Sequence, residues 1–277
     1  QDQQLLEAIA HLVVTALEKV RFLEEKHEKD LLDRQLNDAR DIQMSLMPKS
    51  FGDLPASIEI FGKSLPARQI GGDFFDIVNL DDGRILLALG DVSGKGMPAA
   101  ILMAVSRMIL RQVVQDTTEL TEILEKVNQK LSKELDSYHF VTLQIVAIDP
   151  RTGMAEMSSA GHGPLMVRLS ETTRLIETKG GPPLGIPGLS GVYDKQSFSM
   201  HPGDCLIMFT DGLSEEHSAN REMFGSERIE KFLNEFSQLP ARQITENMIQ
   251  EATRWRGNQE AHDDLTLLSM KFKETGT

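Results

Sequence analysis

Apolar residues return along the first fifty positions at alternating spacings of three and four. Leu6, Ile9, Val13, Ala16, Val20 and Leu23 make a narrow heptad stripe, the pattern of a coiled-coil seam. The stripe fails across Glu24-Glu25-Lys26-His27-Glu28-Lys29-Asp30. It resumes in a new phase with Leu32, Leu36, Ala39, Gln43 and Leu46, and Pro48 ends it. A change of phase predicts a stutter or a bend instead of one uniform supercoil. Residues 1–48 therefore read as a helical linker, and the alternatives are one amphipathic helix packed on a domain or a two-helix segment that dimerises.

From Ile58 onward the period shortens. β-type runs occupy Ile58–Ser64, Phe74–Leu80, Arg84–Gly90, Phe140–Asp149, Met154–Ala160, Pro164–Leu169, Tyr193–Met200, Asp204–Thr210 and Leu265–Phe272. Turn pairs such as Asp82-Gly83, Thr152-Gly153 and Pro202-Gly203 separate them. Helical spacing returns over about Pro98–Val114 and in Leu120, Ile123, Leu124, Val127, Leu131 and Leu135. It returns again near Glu227–Phe236 and Arg242–Trp255. Hairpin-linked strands with helices inserted in pairs predict an α+β fold of antiparallel sheets covered by helices, over 49–277. A doubly wound parallel sheet would need strand and helix to alternate, and they do not.

Composition narrows the function classes. The 277 residues are 40% hydrophobic, enough for one sizeable domain and an appendage. The net charge of −13 disfavours a nucleic-acid surface, which needs clustered Lys and Arg. No run approaches the ~20 apolar residues that span a bilayer, and the start, Gln1-Asp2-Gln3-Gln4, is unlike a signal peptide. One cysteine, Cys205, excludes an internal disulfide framework and places it as a core residue in a reducing compartment. We therefore expect a cytoplasmic protein.

Four acidic motifs share one local design. They are Gly71-Gly72-Asp73-Phe74-Phe75-Asp76, Gly90-Asp91-Val92-Ser93-Gly94-Lys95-Gly96, Thr210-Asp211-Gly212 and His262-Asp263-Asp264-Leu265-Thr266. Each sets an aspartate at the lip of an apolar run. An uncompensated carboxylate there would cost several kcal/mol of desolvation, and converging carboxylates would raise one another's pKa. Divalent cations remove both problems, and an all-oxygen ligand set suits Mg²⁺ or Mn²⁺ better than Zn²⁺. The flanking glycines let the backbone approach and offer carbonyls. Turn formation alone explains any one Asp-Gly pair, but explains four such motifs together poorly. The Gly-Lys pair in the second motif is not a phosphate-binding P-loop, because the spacing is wrong and Gly96 stands where Ser or Thr would hold Mg²⁺.

The order of these motifs, with Pro66-Ala67-Arg68 before the first, Ala160-Gly161-His162-Gly163-Pro164, Pro183-Leu184-Gly185 and the closing Asp-Asp-Leu-Thr, resembles the bacterial SpoIIE/RsbU-type phosphatases. These are relatives of the metal-dependent PP2C serine/threonine phosphatases. The resemblance runs from about Ala39 to Phe272 and includes Ala39-Arg40-Asp41-Ile42-Gln43 ahead of the domain. It implies a PP2C-like α/β-β/α sandwich with two Mn²⁺ or Mg²⁺ ions. Asp91 would bridge both ions, with Asp73 and the Val92 carbonyl on one. Asp211 and Asp263 would complete the other, with Asp264 ranked behind them. Arg68 is the candidate phosphate clamp, the alternative being a plain surface arginine. Two departures matter: Ser93 stands where animal-type PP2C enzymes carry a histidine proposed as a general acid. His162 stands where larger relatives place an aspartate for a third metal, so it is a site-edge residue or holds a strand end.

The resemblance implies a phosphatase acting on phosphoserine or phosphothreonine in a partner protein, with a phosphorylated STAS-type anti-sigma-factor antagonist as the usual substrate. Leu5–Ala10 and Ala16–Glu18 resemble the last helix of a GAF sensor. The expected assembly is thus a homodimer through the N-terminal helix, controlled by an upstream sensor absent from this chain. The rival class is a catalytically silent pseudo-phosphatase scaffold, which would have no need of four costly carboxylates.

Overall fold

The structure, a computed structural model, describes residues 2–48, 54–135, 138–189 and 192–273, with side chains from His11 onward. The chain divides into two compact units, Gln1–Ile42 and Gln43–Thr277. The first unit is helical. Helix α1, Asp2–Leu46, runs unbroken through Glu24–Asp30, so the change of stripe phase interrupts no backbone hydrogen bonding. Its side chains Leu12, Val13, Leu17, Val20, Phe22 and Leu23 are exposed. The start of the predicted stripe, Leu6 and Ile9, lies outside the described side chains.

The second unit holds β1 (Ile58–Leu65), β2 (Phe74–Asn79), β3 (Ile85–Val92), α2 (Met97–Val113) and α3 (Leu120–Glu134). Then follow β4 (Val141–Ile148), β5 (Met154–Ala160), β6 (Leu165–Leu169), β7 (Thr172–Ile176), β8 (Lys195–Ser199) and β9 (Cys205–Phe209). The chain continues through α4 (Asp211–Ser214), α5 (Gly225–Phe236), α6 (Ala241–Arg256) and β10 (Leu265–Phe272). The strands form two sheets, ordered β1-β10-β9-β6-β7 and β2-β3-β4-β5-β8, and every neighbouring pair is antiparallel.

Strand period decides the layering. In β9, Leu206 and Met208 enter the core shared with the second sheet, while Cys205, Ile207 and Phe209 face α5 and α6. In β10, Leu268, Met270 and Phe272 take the first side and Leu265 and Leu267 the second. Both faces of these strands are buried, which is why they read as continuous apolar runs. Helices α2 and α3 cover the outer face of the second sheet, contributing Met103, Leu110, Ile123, Leu124 and Leu131 to its core. The result is the expected pair of antiparallel sheets flanked by helices.

Two elements went unread in the sequence. β7 pairs with β6 across a two-residue turn, Ser170-Glu171, whose φ angles are 47° and 74°. A turn of this kind favours Asn-Gly or Asp-Gly, and Ser-Glu carries no such signal. The single-turn α4 is too short for a periodic pattern.

Candidate metal centre

The aspartates reach one region from both sheets. Asp73 directly precedes β2, and Asp91 is the penultimate residue of β3. The two strands are neighbours, with Phe74 opposite Gly90. Asp211 opens α4 just after β9, and Asp263-Asp264 directly precede β10, the neighbour of β9. Hydrogen bonds cross between the two sets. Thr210 Oγ1 donates to Asp73 Oδ2 at 2.8 Å. The backbone amides of Ala67 and Gly72 donate to Asp264 Oδ1 and Oδ2 at 2.8 and 2.7 Å.

Glycine is needed here for close approach. A Cβ on Gly71 would lie 2.2 Å from Asp264 Oδ2, and one on Gly212 would lie 1.9 Å from the Asp264 carbonyl oxygen. A Cβ on Gly72 would meet the Val92 carbonyl oxygen at 2.7 Å. The Val92 carbonyl therefore stands beside the turn that carries Asp73.

The electrostatics show the strain of gathered negative charge. Burial holds Asp73 well above the ordinary carboxylate range, and the neighbouring Asp91 and Asp264 add to this. Asp91 is pushed up to about 6, by burial first and then by Asp211 and Asp263. The neighbouring Asp73 carboxyl offsets part of that rise. Burial also raises Asp211, helped by Asp263 and Glu215, and it raises Asp264. Among the described residues, no three His, Cys, Asp or Glu side chains already surround one ion-sized point. The donor chemistry fits hard divalent cations nonetheless, because these half-buried oxygens repel one another and meet little positive charge.

The neighbouring carboxylates differ in what holds them. Both oxygens of Asp264 are taken by backbone amides, so it ties the Ala67–Gly72 turn to β10. Asp263 Oδ1 accepts from the Asp264 amide, and its Oδ2 pairs with Lys95 Nζ at 2.9 Å. Lys95 also donates to the His262 carbonyl at 2.8 Å, so it reaches the fourth acidic motif. Arg68, one residue from the Ala67 amide, is exposed and engages none of the described side chains.

Two arrangements escaped the sequence reading of the site. Asp76, fully buried on β2, takes Arg111 Nε and Nη2 at 2.5 and 2.7 Å, with Arg107 Nε at 3.1 Å. The signal was two arginines four apart on α2, which share a helical face. Gln43, in the last turn of α1, donates to the Gly71 carbonyl at 2.6 Å and accepts from the Gly71 amide at 3.3 Å. Its signal was an amide standing inside an apolar stripe. His162, for which the sequence leaves a site-edge and a strand-end role open, lies in the turn after β5 and meets Thr142 Oγ1 and the Phe209 carbonyl.

The family profile described as Stage II sporulation protein E (SpoIIE) matches residues 81–273. The chain is 28% identical over 239 residues to Protein IcfG of Synechocystis sp., a match that covers 76% of this chain and 37% of IcfG. It is 26% identical over 239 residues to Phosphoserine phosphatase RsbU of Bacillus subtilis, covering 85% of this chain and 69% of RsbU. The chain thus spans about a third of one of these relatives and two thirds of the other. Among solved structures, the SiaA-PP2C domain of Pseudomonas aeruginosa superposes with a TM-score of 0.78 at 20% identity, over 88% of this chain and 98% of that one. The fold is PP2C-like.

Proposed function

The chain belongs to the SpoIIE family, and from that premise we propose that it is a metal-dependent serine/threonine phosphatase that releases phosphate from a phosphorylated signalling protein. One observation carries the reading: aspartates from four separate motifs meet at one end of both sheets, where burial and mutual repulsion raise the pKa of Asp73, Asp91 and Asp211. Two Mn²⁺ or Mg²⁺ ions bound there would supply a water of lowered pKa and neutralise charge on the phosphoryl oxygens. Asp91 would serve both ions, Asp73 and the Val92 carbonyl one of them, and Asp211 and Asp263 the other. Asp264 is the reserve ligand, its oxygens already given to Ala67 and Gly72.

The remaining residues position the substrate. Arg68 is exposed at the rim, where its planar guanidinium can grip two phosphate oxygens. Ser93 Oγ accepts the Phe140 amide hydrogen bond and offers no strong acid to the leaving group, so the leaving serine oxygen takes its proton from water. No side-chain nucleophile is required.

The substrate we favour is a phosphorylated STAS-type anti-sigma-factor antagonist. The similarity to a phosphoserine phosphatase, RsbU, supports that class. Control would enter through α1 from a sensor joined to it, with dimerisation along the exposed apolar stripe. The Gln43–Gly71 hydrogen bonds support this route, because they set the helix end two residues from Asp73. Among the described residues no helix is long and apolar enough to cross a membrane.

The test is phosphate release from a phosphorylated STAS protein with and without Mn²⁺, comparing the parent with Asp91→Asn. The expected loss is about 10³-fold or more in kcat, equivalent to ~4 kcal/mol of barrier. Tight binding of the phosphoprotein with no Mn²⁺-dependent release would identify a scaffold instead.

A further inference from the structure

The turn between β5 and β6 carries the chain from one sheet to the other, and His162 sits in it. Its Nδ1 lies 2.8 Å from Thr142 Oγ1, on β4 of the second sheet. Its Nε2 lies 3.2 Å from the Phe209 carbonyl oxygen, on β9 of the first. A carbonyl can only accept, so Nε2 carries the hydrogen and Nδ1 accepts from the Thr142 hydroxyl. Both ring nitrogens are spent on these bonds, which leaves neither free to ligate an ion.

Each partner adjoins a carboxylate of the centre. Thr142 stands directly opposite Asp91 in the β3–β4 register, so the two side chains share a face. Phe209 precedes Thr210, which holds Asp73 through its hydroxyl, and Asp211 follows. The turn itself is fastened on two further sides. Ser159 Oγ donates to the His162 carbonyl at 3.0 Å, and Gln144 Nε2 donates to the Gly163 carbonyl at 2.6 Å. His162 also lines a pocket of about 230 Å³ with Ser159, Gly161, Gly163 and Gly181 among others.

We propose that His162 is a positioning residue: a neutral strut that spans the two sheets and fixes the separation of Asp91 and Asp211, and with it the fit of the paired ions. The inference rests on the metal-site reading given above, but the strut has a signature of its own. Removing the ring leaves Thr142 and the Phe209 carbonyl without their common partner, and the lips of the two sheets can then move apart. An outer partner of this kind typically changes metal affinity by roughly 10- to 100-fold.

The experiment has two arms on the full chain. In the first, the imidazole ¹⁵N shifts of the metal-free protein are recorded. A fixed Nε2–H tautomer of His162 supports the strut, and a ring averaging over both tautomers overturns it, whether or not ions bind. In the second, Mn²⁺ is titrated calorimetrically into the stripped parent, His162→Ala, His162→Gln and Thr142→Val. We expect His162→Ala to bind Mn²⁺ about tenfold or more weakly at the lower-affinity site. His162→Gln, which keeps a donor for Phe209, should recover part of the loss, and KM for the phosphoprotein should change little. Unchanged Mn²⁺ affinity in folded His162→Ala overturns the proposal. If that variant does not fold, unchanged affinity in Thr142→Val does so. A parent that takes up no Mn²⁺ refutes the reading of the metal site, while the imidazole shifts still decide the strut.

Discussion

Asp91 shows how one residue records the demands of the whole centre. It ends a strand of leucines and would be an ordinary carboxylate in isolation, yet burial and its acidic neighbours push it up to about 6. The folded metal-free chain thus holds a proton that the unfolded chain releases near the ordinary pKa of ~4. A native state that binds more protons loses stability as pH rises. Relative to the parent, metal-free Asp91→Asn should therefore gain stability as pH climbs from about 4 through 6, and the gap should level off above. Thermal midpoints across that range, measured with chelator present, check this. The same proton competes with Mn²⁺, so metal affinity of the parent should weaken as pH falls through 6. His162 runs in the opposite sense: burial pushes it down to about 4, so it is neutral wherever the centre works.

At the scale of elements, the notable join is that between β2 and α2. Asp76 lies buried on β2, an edge strand of the second sheet, and takes its counter-charge from one helix, through Arg107 and Arg111. That helix begins just after the Asp91 loop, with Gly96 at its N-cap in a left-handed φ of 79° and Pro98 in its first turn. The ion cluster therefore fixes α2, and through it the loop that holds Asp91. Asp76→Ala would leave Arg107 half-buried without an anion, a loss of about 3 kcal/mol or more. Urea unfolding is expected to show this as a lowered midpoint at unchanged m-value. A midpoint within error of the parent would mean that the arginines find solvent freely. Glycine acts at the same scale, since Gly71, Gly72 and Gly212 admit carbonyl and carboxylate oxygens where any Cβ would collide.

For the molecule as a whole, the two units differ in how they satisfy their apolar residues. The second unit buries its own, in one core between the sheets and another under α5 and α6. Helix α1 does not: Val13 is 50% and Val20 51% exposed. A helix whose apolar stripe faces water gains little stability from packing. On the reading of α1 as a dimer seam, Val13→Glu with Val20→Glu should convert the protein to a monomer in light scattering. The second unit should then unfold with its cooperativity intact, because its cores include neither residue. A dimer that survives both changes would place the contact elsewhere.

Much of this was present in the residue pattern. Period-2 and period-3.6 runs fixed nine of the ten strands and the four longer helices among the described residues of the second unit, because burial on one or both faces writes itself locally into side-chain choice. The aspartates were legible for the same reason: a carboxylate at the lip of an apolar run is costly without a purpose. What tertiary structure decided was who meets whom. Asp263 and Asp264 are alike in sequence, but only the approach of Ala67 and Gly72 from the far end of the unit commits both oxygens of Asp264 to backbone amides. Asp76 resembles the second half of an acidic motif until two arginines from α2 close on it, and His162 reads equally as a site-edge residue or a strand-end holder until both its nitrogens are taken by opposite sheets. Local pattern specifies which face of an element is buried. Long-range partners depend on register and layer order, which no single stretch of chain contains.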